Sequence, residues 1–368
     1  MSDFEIFLMA PPGLETVLAE EVRAKGFATP TVVPGGVTIQ GGWPEVRRAN
    51  LVLRGAGRVT ARIGEFRAFH LAQLDKRARK FPWGDVLRPD VPVRVEVATN
   101  RKSKIYHAGA AQERIERAIS EELGAPIDPK AAVTVRARID DNLVILSIDT
   151  SGEPLHKRGH KQAVGKAPMR ETMAAMFLAA CGYTGRETVV DPMCGSGTFV
   201  IEAAEIAAGL HPGRARAFAF ELLAGHDADA WAAEKDQPPA PLPDLRFYGS
   251  DRDAGSFGAA RANADRAGLG ALCSFEKIPV SDLTAPDGPP GLVIVNPPYG
   301  GRIGDKKPLY GLHGALGQTL KTRFQGWRVG IITSEASLAH ATGLPFADES
   351  APVAHGGLRV RLYRTDPL

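Results

Sequence analysis

Cysteine is scarce in this sequence, and the three present, Cys181, Cys194 and Cys273, are odd in number and have no paired spacing. That pattern argues against a disulfide framework or a zinc site and suits a reducing cytoplasm. His156 and His160 lie four residues apart, yet no third residue with metal-ligand spacing joins them, so no metal is expected. Long apolar runs are missing too. None approaches the roughly 20 residues of a membrane span, and a start containing Asp3 and Glu5 lacks the basic opening of a secretory signal, so no membrane partner is expected. Two nucleotide signatures are also absent. No Gly-x-Gly-x-x-Gly follows a strand, and the glycine turn that is present has no following Lys as in a phosphate loop. Pyrophosphate binders of both kinds are therefore disfavoured. No internal repeat is evident.

Net charge is small, +3, but unevenly spread. Lys and Arg outnumber Asp and Glu by 26 to 20 over residues 1–168, whereas 19 face 22 over residues 169–368. Phosphate affinity is largely electrostatic, so the first half is the better candidate for an RNA anchor. At 368 residues the chain exceeds one ordinary domain, and a hydrophobic fraction of 44% with 24% charged residues is that of a globular protein.

Chemistry concentrates in the second half. Thr188-Val189-Val190 runs into Asp191-Pro192-Met193-Cys194-Gly195-Ser196-Gly197-Thr198, and a helix is predicted from Phe199 to Ala208. Strand, glycine turn and helix form the first unit of a doubly wound sheet, which binds ligands at the carboxyl ends of its strands. Gly195 and Gly197 permit close backbone approach, and Thr198 is expected to cap the helix. An adenosyl ligand without phosphates suits this spacing. Asp191 and the backbone from Met193 and Cys194 to Gly197 would hold the part of such a ligand beyond its adenosine. A second strand over Leu245–Ser250 ends at Asp251, placed to accept from ribose hydroxyls, with Asp253 the expected helix cap. A third strand from Ser274 precedes Asp282, placed for the adenine amine. Cys194 lies inside the glycine turn, not in a base-facing Pro-Cys loop, so it is not read as a nucleophile.

The apolar run Gly291–Val295 leads into Asn296-Pro297-Pro298-Tyr299. An exocyclic aromatic amine is a poor nucleophile because its lone pair is delocalised. A site that uses one must hold its hydrogens on acceptors and align the lone pair with the electrophile. The Asn296 amide oxygen and the Pro297 carbonyl would supply acceptors, Pro297 and Pro298 stiffen the turn, and Tyr299 offers a stacking face.

In this order the motifs closely resemble the bacterial THUMP-domain RNA guanine-N2 methyltransferases, in particular the guanine-N2 half of the 23S ribosomal RNA large-subunit enzymes. The likeness extends to Leu155–Gly159, Ala167–Thr172 and Phe324–Trp327, and so spans most of the chain. The resemblance implies a ferredoxin-like domain over 1–55, a THUMP RNA-binding domain over 56–150, a basic connector over 151–166 and a class I methyltransferase domain over 167–368. Asn100–His107 resembles the THUMP signature, with Arg101, Lys102 and Lys104 as phosphate contacts. The connector is expected to touch RNA or pack on the catalytic domain. The stretch 210–244, between Asp191 and Asp251, is expected as an insertion at the active-site end, a substrate lip or a surface excursion. Gly300–Gly304, Lys306 and Lys307 are further candidate phosphate grips.

The expected fold is α/β, a Rossmann-like methyltransferase domain behind an α+β RNA-binding module. The expected activity is S-adenosylmethionine-dependent methylation of guanosine N2 in RNA, with ribosomal RNA favoured over transfer RNA and no metal required. The alternatives are a transfer-RNA enzyme and an adenine-N6 DNA methyltransferase, whose catalytic loop is shared. A non-catalytic RNA-binding protein is disfavoured because the cofactor acids and amine acceptors are all present.

Overall fold

Alternating and unbroken apolar runs divide this chain into two kinds of sheet, one in each of two compact units. The computed structural model describes residues 3–162, 169–236, 241–299 and 307–368. One unit comprises Met1–Ala10, Glu21–Leu155 and Arg216–Asp236; the other comprises Pro11–Glu20, His156–Ala215 and Gln237–Leu368.

The first unit is built on strands that alternate. In β1 (Phe4–Met9) Ile6 and Leu8 are buried, and the chain continues through α1 (Glu15–Ala24), β2 (Thr31–Val33), β3 (Gly36–Gly41) and α2 (Trp43–Val52). Then come β4 (Val59–Arg67), α3 (Leu71–Arg79), β5 (Val93–Thr99), α4 (Ala108–Leu123), β6 (Val133–Asp140) and β7 (Leu143–Asp149). Period-2 burial in β6, with Val133, Val135, Ala137 and Ile139 inward, marks a sheet with one covered face. The seven strands pair in the order β2-β3-β1-β4-β7-β6-β5. β4 carries a register shift between Arg62 and Gly64, and a Cβ on Gly64 would meet the Phe81 ring at 2.6 Å. The last part of this unit comes from far along the chain. Arg216–Asp236 buries Trp231 edge-on against Phe218 and Phe220, at centroid distances of 5.9 and 4.9 Å. Of the stretch expected as an insertion, Arg216–Asp236 thus belongs to the first unit by its contacts.

The second unit is built around central strands that are apolar and buried, with polar or alternating strands toward its edges. It runs through α5 (Glu171–Ala180), β8 (Val189–Asp191), α6 (Thr198–Ala207), β9 (Phe247–Ser250), α8 (Ala254–Arg266), β10 (Cys273–Glu276), β11 (Leu292–Val295) and α9 (Lys307–Arg323). α7 (Ala228–Lys235) precedes β9 and lies in the Arg216–Asp236 stretch of the first unit. The chain ends in β12 (Arg328–Thr333), α10 (Ala336–Ala341), β13 (Phe346–Glu349), β14 (Val353–His355) and β15 (Leu358–Thr365). Every residue of β8 and β11 is buried, as parallel strands covered on both faces require. The order is β10-β9-β8-β11-β12-β15-β13, parallel from β10 to β12 and antiparallel at β15. β8 and β11 lie side by side, so the glycine turn and the Asn296 loop leave the same end of the sheet. Leu316, Leu320 and Phe324 press α9 onto Val293, Val295 and Ile331.

Candidate active site

At the end of β8 the Asp191 carboxyl is 2% exposed and accepts from the Met193 N–H at 3.1 Å. Burial, with the nearby Asp251 carboxylate adding to it, pushes its pKa up to about 8. The turn that follows needs its glycines. Gly195 has φ +51° and Gly197 φ +81°, and a Cβ on Gly197 would meet Ala260 and the Phe275 ring at 3.0–3.1 Å. On Gly195 a Cβ would meet no atom of the described residues beyond its chain neighbours within 4 Å.

Asp251, at the end of β9, is tied to the same turn. Its Oδ2 accepts from the Gly195 N–H at 3.0 Å and its Oδ1 from the Asp253 N–H at 2.9 Å. Asp253 caps α8 by accepting from the Ser256 N–H at 2.8 Å. Asp282 is exposed and accepts from the Ser281 hydroxyl at 3.1 Å. Its loop is pinned from α9, where Arg323 Nη1 donates to the Ser281 and Leu283 carbonyls at 3.0 and 2.9 Å. The Cys194 thiol is buried and its pKa is raised well above the usual thiol range by that burial, so it stays protonated.

Thr198 requires a correction. The N-cap of α6 is Gly197, which has no capping side chain, and the Thr198 hydroxyl instead accepts from Lys161 Nζ at 2.9 Å. Lys161 also donates to the Met169 carbonyl at 2.7 Å and lies 3.3 Å from the Glu171 carboxylate. Burial lowers its pKa, with Glu171 opposing. The sequence reading missed this lysine because it sits in a polar, basic run that reads as a solvated connector. Its neighbours are similarly enclosed: Arg158 pairs with Glu202 at 3.1 Å, both side chains 1% exposed, and His160 Nδ1 lies 3.9 Å from Glu205. Arg158 and His160 are thus buried in the second unit and Lys161 nearly so, whereas Lys157 and Gln162 are exposed; Lys166 and Ala167 lie outside the described residues.

At the end of β11 the Asn296 Oδ1 atom is buried and has no hydrogen-bond partner among the described residues. Pro297 is buried, Pro298 exposed and Tyr299 partly buried, with burial pushing its phenol pKa up to about 12. A buried amide oxygen without a donor is costly unless a ligand supplies one. Of the candidate grips beyond, Gly300–Gly304 and Lys306 lie outside the described residues, and Lys307 opens α9.

In the N-terminal unit, Asn100–His107 is a built loop. Asn100 Oδ1 accepts from the Lys102 N–H and the Ser103 hydroxyl, both at 3.1 Å, and Asn142 Oδ1 accepts from the Lys104 N–H at 2.9 Å. Ser103 and Ile105 point inward, which leaves Arg101, Lys102, Lys104 and Tyr106 exposed. Lys104 Nζ stands 5.6 Å from the centroid of the exposed Phe69 ring, and the Tyr106 and His107 rings are 4.3 Å apart. No group of three or more metal-ligating side chains occurs among the described residues, and no described helix is long and apolar enough to cross a membrane.

A parallel sheet with one reversed strand, a glycine turn after its first strand, acids after the next two and an Asn-Pro-Pro-Tyr loop after the fourth defines a class I methyltransferase. The comparisons with known proteins agree. The UPF0020 family, described as an RMKL-like methyltransferase domain, matches residues 158–363, and the RlmL ferredoxin-like domain matches residues 5–60. The chain belongs to the UPF0020 methyltransferase family.

Among its relatives, the ribosomal RNA large subunit methyltransferase K/L of Syntrophotalea carbinolica is 35% identical over 98% of this chain and 53% of its own length. The chain therefore spans about half the length of such K/L proteins. A Synechocystis sp. protein that carries an RNA methyltransferase name is 30% identical and is matched over 95% of its length. Of solved structures, SMU.472 in complex with SAH is 28% identical with a TM-score of 0.88, covering 100% of this chain and 99% of its own. A Listeria monocytogenes protein described as a predicted N6-adenine-specific DNA methylase is 31% identical with a TM-score of 0.86, covering 100% and 97%.

Proposed function

We propose that this enzyme transfers a methyl group from S-adenosylmethionine to the exocyclic N2 of a guanosine in RNA, with ribosomal RNA the favoured substrate and the cytoplasm its setting. The observation that carries the reading is the buried Asn296 Oδ1 at the end of β11, beside the glycine turn, which has no hydrogen-bond partner among the described residues. An N–H of the target amine is the donor this atom lacks. The K/L names of several relatives favour ribosomal RNA.

The residues of the glycine turn fit the cofactor. Asp191 is a buried acid whose carboxyl is driven up by its surroundings, the condition that a cationic ligand relieves. Asp191 and the backbone from Met193 through Cys194 to Gly197 would hold the methionine end, with Thr198 fixed behind them by Lys161. Asp251 would hold the ribose and Asp282 the adenine. When bound, S-adenosylmethionine would supply an electrophilic methyl group, the carbon–sulfur electron pair remaining with sulfur as a neutral thioether.

Asn296 Oδ1 and the Pro297 carbonyl would accept from the N2 hydrogens and turn the lone pair toward that methyl group. Because these acceptors are fixed before the reaction, they stabilise the transient positive charge on nitrogen without reorganising. The nitrogen then releases one proton to solvent. Tyr299 would stack on a base extruded from its surroundings. Arg101, Lys102 and Lys104 would anchor phosphates through the N-terminal unit.

The description of the Listeria relative favours a second reading, adenine N6 in DNA, through the same loop. Single-turnover transfer from labelled S-adenosylmethionine to unmodified ribosomal RNA, followed by nucleoside analysis, separates the two. Label in N2-methylguanosine is expected; label in N6-methyladenosine, or transfer to DNA alone, would replace this reading with the second.

A further inference from the structure

Proline supplies no backbone N–H, so a loop that opens Asn296-Pro297-Pro298 has few ways to fix its own path. A hydrogen bond from outside the loop meets that need. His313 Nε2 lies 3.4 Å from the Pro298 carbonyl oxygen. This histidine sits on α9 and is fully buried, and among the described residues its Nδ1 makes no hydrogen bond of ordinary geometry, with the Leu338 backbone nearby. A carbonyl only accepts, so the contact is a hydrogen bond when Nε2 carries the proton and donates it. The other tautomer would set a lone pair against the Pro298 carbonyl.

The helix that holds the ring is itself firmly seated. One turn on from His313, a Cβ on Gly317 would lie 1.8 Å from the Thr342 carbonyl oxygen, so the backbones touch there, and Leu316 and Leu320 enter the core. Burial lowers the ring's pKa; the Pro298 and Leu338 backbone and the Glu335 carboxylate oppose that shift. A leucine would fill this place without burying a bare nitrogen, so packing does not account for an imidazole.

We infer that His313 is a positioning residue for methyl transfer, whose Nε2–H holds the Pro298 carbonyl and so aims the Asn296 amide and the Pro297 carbonyl at the target amine. It touches neither substrate nor cofactor. The inference rests on the catalytic reading of the loop given above. At 3.4 Å the contact is long, as catalytic hydrogen bonds often are before substrate binds.

The test compares His313→Leu and His313→Gln in the full chain, because the Gln amide nitrogen can reach the place of Nε2 whereas Leu only fills the volume. With in vitro transcribed ribosomal RNA, His313→Leu should lower the single-turnover rate at least about tenfold, the scale of losing one well-placed polar group. S-adenosylmethionine affinity should stay within about twofold, and His313→Gln should recover most of the rate. A wild-type rate for the Leu variant, or a Gln variant no faster than Leu, would overturn the inference. Should the Leu variant fail to fold, His313→Asn replaces it, since its shorter amide falls short of Pro298; equal rates for Asn and Gln then count against the role. Nitrogen-15 histidine spectra of the wild type give an answer independent of turnover: the Nε2–H tautomer is expected, and Nδ1–H would end the proposal. A wild type that methylates adenine, or nothing, disproves the reading of function instead and leaves the spectral result standing.

Discussion

The Asp251 carboxylate accepts a 3.0 Å hydrogen bond from the backbone N–H of Gly195, which ties the acid after β9 to the glycine turn after β8. One side chain therefore serves two ends of the proposed cofactor site. It faces the ribose in the proposed complex and fixes the turn that would hold the methionine part. Asp251→Ala removes both, and hydrogen bonds to charged groups contribute about 1.5–3 kcal/mol each. A loss of S-adenosylmethionine affinity of tenfold or more is expected by isothermal titration. Asp251→Asn keeps one acceptor and should lose less. Unchanged affinity in a folded Asp251→Ala protein would remove the ribose assignment.

Asp191 gives the cofactor a pH dependence whose sign can be worked out. Its pKa is pushed up to about 8, so the free protein holds it protonated through most of the range from pH 4 to 8. A cationic ligand favours the carboxylate, so binding should release a proton there. Affinity should then rise with pH until about 8 and level off above it. Titration at pH 7 in buffers of different ionisation enthalpy would count the released proton. Asp191→Asn should abolish both the release and the slope; wild-type and Asn proteins with the same slope would clear Asp191 of the role.

Much of the catalytic sheet is legible in the sequence, for a physical reason. Strands buried on both faces, such as Leu292–Val295, are unbroken apolar runs, and each ends at a residue whose chemistry stands out. Legibility fails where a residue's meaning depends on a distant partner. β4 is hard to read in the sequence because Gly64 and the register shift beside it interrupt the alternation of Val59, Ala61 and Ile63. Lys161 reads as one of several solvated cations until Thr198 and Glu171 are brought to it. Thr198 reads as a cap because its type and place are right, yet Gly197, with positive φ, occupies that position. His313 is a lone histidine among core leucines, and only the fold puts Pro298 opposite its ring.

The exposed cations of the Asn100–His107 loop predict a salt effect. Replacing Arg101, Lys102 and Lys104 together with Ala should weaken RNA binding and leave S-adenosylmethionine affinity unchanged. Loss of three phosphate contacts on a single strand should flatten the logarithmic salt dependence by about 2. The fold should survive, because the loop's buried positions, Ser103 and Ile105, are untouched. Filter binding across a salt series measures the slope. An identical slope in wild type and triple variant would exclude this loop from the RNA surface.

Binding and chemistry should separate at the Asn-Pro-Pro-Tyr loop. Asn296 Oδ1 is buried without a donor among the described residues, so it should matter most while the amine is being alkylated. Asn296→Ala should lower the methyl-transfer rate constant by about 10²–10³, the scale of deleting a preorganised polar group. Its effect on S-adenosylmethionine affinity should be small, because the side chain faces the base. Tyr299→Ala removes a stacking surface instead, worth about 1–3 kcal/mol, and should weaken productive RNA binding together with the rate. Asn296→Asp is the sharper companion. It keeps an acceptor in the same place but adds a negative charge to a buried position, where desolvation favours the protonated acid. Activity in that variant should return as pH rises and the carboxylate forms. Single-turnover assays over a pH series measure all three variants, and a near-wild-type rate for Asn296→Ala would remove the loop from the chemistry.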